Sequence, residues 1–194
     1  DVGFRKCKIL NKAIGIAKSD YLVFIDGDCI PHPKFIQSYI NMSNLDCSFG
    51  RRVMLSKGHT ELLLCGSSNL SLLNLIRHRS TQIKHSIYIP GRTPTIPKAK
   101  GIWGCNWGIK KELLVKINGF DEDYVKAGVG EDVDVEWRLR EAKIPILYAK
   151  HRAIVYHLYH ASHYDSTVVA ENMKMLKYKQ QQGALFCTNG INKK

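Results

Sequence analysis

The sequence predicts an α/β sandwich with a mainly parallel sheet, and three observations carry that expectation. Amphipathic helical stretches alternate with short apolar runs along most of the chain. The clearest run, Tyr21-Leu22-Val23-Phe24-Ile25, is continuously apolar and of strand length, the pattern of a strand covered on both faces. The 194 residues, 44% hydrophobic and 24% charged, suit one domain that buries its core without a metal or disulfide staple. Collagen-like, disordered and disulfide-scaffold classes are excluded by this composition.

Taken in order, Phe4 to Lys18 places Cys7, Leu10, Ile14 and Ala17 at three- and four-residue steps, which predicts an amphipathic helix stopped by Ser19-Asp20. The Tyr21–Ile25 strand ends in Asp26-Gly27-Asp28. Beyond Pro31 and Pro33, Phe35 to Leu45 reads as a helix with Phe35, Ile36, Tyr39 and Ile40 inward. A strand is expected at Phe49 to Leu55, then leucine-rich helix from Thr60 to Ile76, interrupted at Gly66-Ser67-Ser68-Asn69. Pro90 to Gly101 combines three prolines with Arg92, Lys98 and Lys100, the composition of an exposed basic loop and a candidate lid.

Gly104 to Ile109 is expected as a strand and Lys111 to Ile117 as a short helix stopped by Asn118-Gly119. In Glu131 to Lys143 the residues Val133, Val135, Trp137 and Leu139 alternate as in a strand. The acid-before-base pairs Asp134/Arg138 and Glu136/Arg140, four residues apart, decide for a helix. Strands follow at Ile144 to Tyr148 and Ala153 to Leu158, then a helix from Val168 to Gln182. The domain is expected over residues 1–182, with 183–194 a polar, frayed C-terminal tail.

Twenty-nine Lys and Arg against 17 Asp and Glu give a formal charge of +12, which attracts nucleotide phosphates, anionic lipid surfaces or nucleic acid. No zinc-finger, RRM or helix-turn-helix signature accompanies the charge, so no nucleic-acid partner is expected. No apolar run reaches the roughly 18 residues of a membrane span, and the first residues lack the order of a signal peptide. Six scattered cysteines without CxxC spacing predict reduced, mostly buried thiols and a cytoplasmic location.

The sharpest chemical feature is Asp26-Gly27-Asp28 at the C-terminal end of a buried strand, the edge at which open α/β sheets bind ligands. Two carboxylates at i and i+2 can hold Mn²⁺ or Mg²⁺ and, through it, a diphosphate. An isolated pair of this kind is equally an Asp-Gly turn whose acids cap the next helix.

The segment NKAIGIAKSDYLVFIDGDCIPHPKFI resembles the centre of GT-A nucleotide-sugar glycosyltransferases of the bacterial family 2 type, where helix, strand and DxD motif occur in this order. Independently, GCNWGIKKELLVKINGFDEDYVKAGVGEDVDVEWRLR is similar to a C-terminal segment of galactosyltransferases, with its NGFDE and GEDxD patterns. Together the two cover Asn11 to about His160. The resemblance implies a GT-A, Rossmann-like three-layer sandwich whose base-binding strand and helix lie upstream of this sequence.

It also implies roles. Asp26 and Asp28 would be the DxD carboxylates, with Asp28 a direct metal ligand and Asp26 reaching the donor ribose or the metal shell. Glu131-Asp132 matches the family's ED pair. Asp132 would be the general base that removes the acceptor hydroxyl proton, with Glu131 orienting the acceptor; both acids also suit a simple helix start. His157 would complete the metal site, His160 being close enough to replace it, although a lone histidine there is equally structural. Trp103, Gly104, Trp107 and Gly130 would face acceptor or donor sugar; strand alternation sends both tryptophans to one face, and only one of them is expected to touch sugar. Gly128 and Gly130 would permit close backbone approach to the ligand. Arg5 and Lys8, or Arg51 and Arg52, could reach the diphosphate.

The expected function is metal-dependent, inverting transfer of a sugar from a nucleoside-diphosphate donor, uridine-linked by resemblance, to a hydroxyl of a glycan acceptor. Similar galactosyltransferases carry tryptophan before GED where this chain has Val129, so acceptor preference is not carried over. Peripheral contact with an anionic membrane at the inner face is a further expectation, from Arg92, Lys98 and Lys100. The alternative is a non-catalytic carbohydrate- or polyanion-binding module that keeps the fold.

Overall fold

The computed structural model describes residues 5–98, 101–126, 128–161 and 165–193. In chain order its elements are α1 (Lys6–Ile16), β1 (Tyr21–Phe24), β2 (Cys29–Pro31), α2 (Phe35–Ile40), β3 (Cys47–Phe49), β4 (Arg51–Met54), α3 (Lys57–Leu64) and α4 (Leu72–Arg77). A 3-10 turn at Ile83–Ser86 leads through irregular chain to β5 (Trp107–Lys110), α5 (Lys111–Lys116), α6 (Glu131–Glu141), β6 (Ile146–Tyr148), β7 (Ile154–His157) and α7 (Ser166–Gln181).

Two sheets result, in the orders β1-β5-β3-β6 and β2-β7-β4. The class is α/β as expected, but strand direction is more mixed than the alternation of helices and strands implied. In the first sheet β3 and β6 pair in parallel, while β5 lies between β1 and β3 and pairs antiparallel with both; in the second, β7 is antiparallel to β2 and parallel to β4. The direction of β5 is set by the long irregular return from the 3-10 turn, which local sequence does not report.

The expected single strand from Phe49 to Leu55 is two strands, because Gly50 passes the chain from one sheet to the other. A Cβ there would sit 2.1 Å from the Ala153 carbonyl oxygen, so only glycine permits the approach. Asn106 braces the junction: it accepts from the Tyr39 hydroxyl at 2.7 Å and donates to the carbonyls of Arg51 at 3.0 Å and Ala153 at 3.2 Å. The chain crosses between the same sheets again from β6 to β7.

Three apolar clusters fill the layers. The largest joins Cys7 and Ile14 of α1 to Phe49, Trp107, Val135 and Leu139; a second lies beneath Phe35 and Tyr39 of α2; a third places Leu75 of α4 on Val53, Ile154 and Tyr156. Ile36 and Ile40 do not turn inward as expected: Ile36 is 64% exposed, because α2 is short and only its Phe35–Tyr39 side meets the sheet. β1 is an edge strand, so Val23 is exposed rather than covered.

The Pro90–Gly101 loop is pinned rather than free-standing over its described part. Thr95 and Tyr148 exchange backbone hydrogen bonds at 3.1 and 2.7 Å, and Arg152 donates to the Arg92 carbonyl at 3.1 Å. Lys100 lies outside the described residues, as does Phe4 at the start of the expected first helix. The tail after Gly183 is docked, not frayed. Asn118, at a φ of 65° after α5, donates to the carbonyls of Cys187 at 2.6 Å and Asn192 at 2.8 Å, and its own backbone carbonyl accepts from the Ile191 N–H at 3.0 Å. Buried polar groups of the Asn118-Gly119 turn thereby find partners, and Cys187 is buried.

Candidate active site

The two aspartates after β1 face different neighbours. Gly27 turns the chain between them, and the Cys29 N–H donates to the Asp26 carbonyl at 3.1 Å. Asp26 turns toward α1, where Lys6 Nζ donates to its Oδ1 at 3.2 Å. Asp28 turns toward β7. The register of β2 against β7 sets Cys29 opposite His157, and the Leu158 N–H donates to the Asp28 carbonyl at 2.9 Å. This backbone pairing brings His157 Nε2 to 3.4 Å and His160 Nε2 to 3.1 Å from Asp28 Oδ2.

Asp28, His157 and His160 each offer one donor atom, and the three lie within 4.8 Å of one another. Burial, with Arg52 adding to it against the pull of Asp28, holds the His157 imidazole below its ordinary pKa, in the neutral form that a metal ligand needs. One carboxylate oxygen and two imidazole nitrogens fit a divalent ion, and the nitrogens favour Mn²⁺ over the harder Mg²⁺. Asp26 lies outside this group.

The first turn of α6 completes the site. Gly130 caps the helix, and Glu131, Asp132 and Asp134 occupy its positive end. Asp132 accepts from the Gly104 N–H at 3.2 Å and the Val133 N–H at 2.8 Å, which fixes its carboxylate. Burial raises its pKa, opposed by those two N–H groups and by Lys6. Glu131, also raised by burial and then by the Asp132 carboxylate, lies 3.4 Å from Lys6 Nζ. Burial by itself would depress Lys6, but Asp26, Glu131 and Asp132 together keep it charged. One ammonium therefore serves three carboxylates.

A cavity of ≈ 380 Å³ opens beside this cluster, lined by Lys6, Asp26, Arg52, Trp103, Gly104 and Asp132 among others. Its wall is held from below by Glu136, one turn further along α6. The Glu136 carboxylate accepts from the N–H groups of Gly101 at 3.0 Å and Ile102 at 3.1 Å and from Arg140 at 2.6 Å. Trp103 stands against two guanidinium groups, those of Arg51 and Arg52, each 4.8 Å from its ring. Arg52 Nε is buried without a hydrogen-bond partner among the described residues, while its Nη1 donates weakly to the Cys105 sulfur at 3.9 Å.

Of the residues expected at the site, Asp26, Trp103, Gly104, Glu131 and Asp132 line this cavity, and Asp28 meets His157 beside it. Trp107 does not. It is 1% exposed and stacks on Phe24 with ring centroids 4.4 Å apart, because β5 begins at Trp107 and strand alternation does not extend back to Trp103. Gly130 faces the Tyr124 ring, 2.9 Å from where its Cβ would be, while Gly128 and Val129 line the cavity. Lys8 is exposed and acts on Glu122, and Arg5 is the exposed cap of α1. Lys6 is the α1 cation that sequence reading missed. The helical phase set by Cys7 and Ile14 places Lys6 beside the buried stripe, but neither residue marks which flank β1 approaches. Glu136 gave no signal beyond its pairing with Arg140.

A family model described as the N-terminal domain of galactosyltransferase matches residues 96–161, the segment that carries Trp103, Asp132, His157 and His160. The chondroitin synthase of Escherichia coli is 24% identical over 159 residues, which cover 72% of this chain and 23% of that protein. Among solved structures, GalNAc-T7 with UDP, GalNAc and Mn²⁺ superposes with a TM-score of 0.56 at 11% identity, over 89% of this chain and 34% of that one. The chain has a GT-A-like fold and is similar in sequence to glycosyltransferases of that fold. It spans less than half the length of either protein. In the GT-A frame, the cavity and the Asp28 group lie on the side of the sheets where β1 and β7 end.

Proposed function

We propose that this GT-A domain transfers a sugar from a nucleoside diphosphate donor, uridine-linked, to a hydroxyl of a glycan acceptor, with metal dependence and inversion. The observation that carries the reading is Asp132. A half-buried carboxylate of raised pKa, held by the Gly104 N–H, faces the same cavity as Asp26, Lys6 and Arg52. A carboxylate so placed can take the proton of an attacking hydroxyl, while Glu131 and Trp103 orient the acceptor.

Asp28, His157 and His160 would hold a divalent ion, which supplies Lewis-acid stabilisation to the departing diphosphate. Arg52 would add a guanidinium on the same leaving group, and Asp26, kept in place by Lys6, would accept from the donor ribose. The GalNAc-T7 complex with UDP and Mn²⁺ supports this choice of donor and ion. A role in polysaccharide synthesis and a cytoplasmic setting belong to the same proposal, the setting supported by six free cysteines. Among the described residues no helix is long and apolar enough to cross a membrane.

Calorimetric titration with uridine diphosphate tests the donor and metal assignment. Binding is expected in Mn²⁺ and not in chelator, and Asp28→Ala should remove the metal-dependent part. Equal affinity with and without metal would overturn the assignment. Product anomers read by NMR decide inversion against retention.

The pH profile provides a separate check. The base acts unprotonated, so activity falls as pH drops through the pKa of Asp132. Because that pKa is raised, the acid limb of kcat is expected above the ordinary carboxylate value of about 3.9. Lys6→Met removes a cation that opposes the shift, so the limb should move further up. A limb that stays in place would separate Lys6 from Asp132.

A further inference from the structure

The layer formed by α3, α4 and the turn Ile83–Ser86 has no part in the transfer chemistry, yet the stretch of sequence that builds it, with β4 before it and the loop that follows, carries most of the net charge of the chain. Residues 51–100 hold nine Lys and Arg against one acid, Glu61. Six of these cations, Lys57, Arg77, Arg79, Lys84, Arg92 and Lys98, are exposed, and among the described residues none has a carboxylate within 4.0 Å.

The same layer exposes large apolar side chains. On α4, Leu75 is fully buried against the third core cluster, while Leu73, on the opposite side, is 75% exposed and Leu72 and Ile76 are exposed on the flanks. Leu64 at the end of α3 is 70% exposed. These residues are not an unfilled core, since the cluster beneath them is already closed by Val53, Leu55 and Tyr156. The turn Ile83–Ser86 packs on α4, so Lys84 shares the outer layer with the leucines. The positive field reaches inward as well: His85 is pushed down to about 4, by burial first and then by Lys84, Arg51, His151 and Lys150.

We propose that this layer is a membrane-docking face for an anionic lipid surface, with Leu73 and Ile76 entering the headgroup region and Arg77, Arg79 and Lys84 meeting the lipid phosphates. Charge complementarity selects the occupant. An outward apolar stripe flanked by unpaired cations is the pattern of an interfacial helix, whereas a nucleic acid would need the cations without the leucines. The layer covers β4, and β4 pairs with β7, the strand that ends in His157. Docking would therefore hold the candidate active site at a set height above the lipid, where an acceptor carried on a membrane could reach it.

The test is co-sedimentation of the purified chain with vesicles of phosphatidylcholine, with and without phosphatidylglycerol, and it does not depend on the transferase reading. Binding is expected only to the anionic vesicles and should weaken with salt. Leu73→Glu with Ile76→Glu, and separately Arg77→Glu with Arg79→Glu, should each lower it on the order of tenfold or more. Ile36→Glu, on the exposed side of α2, should leave it unchanged. Circular dichroism establishes that each variant is folded, as its exposed position predicts. No binding by the parent chain would overturn the proposal. So would a leucine variant that binds as well as the parent, or self-association without lipid that the leucine variant abolishes, since these point to a diffuse charge effect and to a protein interface.

Discussion

Asp132→Asn is expected to lower kcat by about 10²–10⁴-fold while leaving Mn²⁺-dependent binding of uridine diphosphate within a few-fold of the parent. Asparagine keeps the size of the side chain and an oxygen that can accept from the Gly104 N–H, but it cannot take a proton from the acceptor. Glu131 does not replace it, because its carboxylate is buried and ion-paired with Lys6. An unchanged kcat would remove Asp132 from the role of base. Loss of nucleotide binding as well would make the residue a support for the Gly104 wall. Glu131→Gln should act more on KM than on kcat if Glu131 orients the acceptor.

The second large effect falls on stability. Asp134 and Arg138 are both fully buried in α6; Arg138 Nε donates to Asp134 Oδ2 at 2.8 Å, and Nη1 donates to the Ile117 carbonyl at 2.7 Å. Asp134→Ala leaves the guanidinium buried without its counter-charge, which is expected to cost about 3–5 kcal/mol. A domain of this kind holds only about 5–15 kcal/mol in total, so the variant should approach unfolding at 37 °C. Urea denaturation measures the loss, and a change below about 1 kcal/mol would contradict it. Replacing both partners by apolar residues, Asp134→Leu with Arg138→Met, should recover much of the stability, because no unpaired charge then remains.

Much of the local structure was legible in the sequence. The periodicity of Cys7, Leu10 and Ile14 carried α1, the apolar run carried β1, and the charge pairs of Glu131–Lys143 correctly overruled strand alternation in favour of α6. The aspartates at the end of β1 and the acids that begin α6 were visible as motifs, and the structure sets Asp26 and Asp132 on one cavity. That Trp103 and not Trp107 lines the larger cavity was not legible, because β5 starts later than its sequence pattern, nor was it legible that the bare Cα of Gly130 faces Tyr124. The docked tail was hidden, since a polar composition does not reveal that Asn118 offers partners to it.

What the sequence determined by itself is whatever depends on near neighbours along the chain: which segments become helices and strands, where glycine lets them turn, and which acids stand at helix and strand ends. Tertiary structure decided which of these meet. Lys6 rather than Lys8 reaches Asp26 because α1 packs on the sheets by its Cys7–Ile14 side. Both His157 and His160 reach Asp28 because β2 lies antiparallel to β7 in a single register. Register and packing are set by burial and hydrogen bonding between segments that are separate in sequence, more than a hundred residues apart for β2 and β7, and no local pattern encodes them.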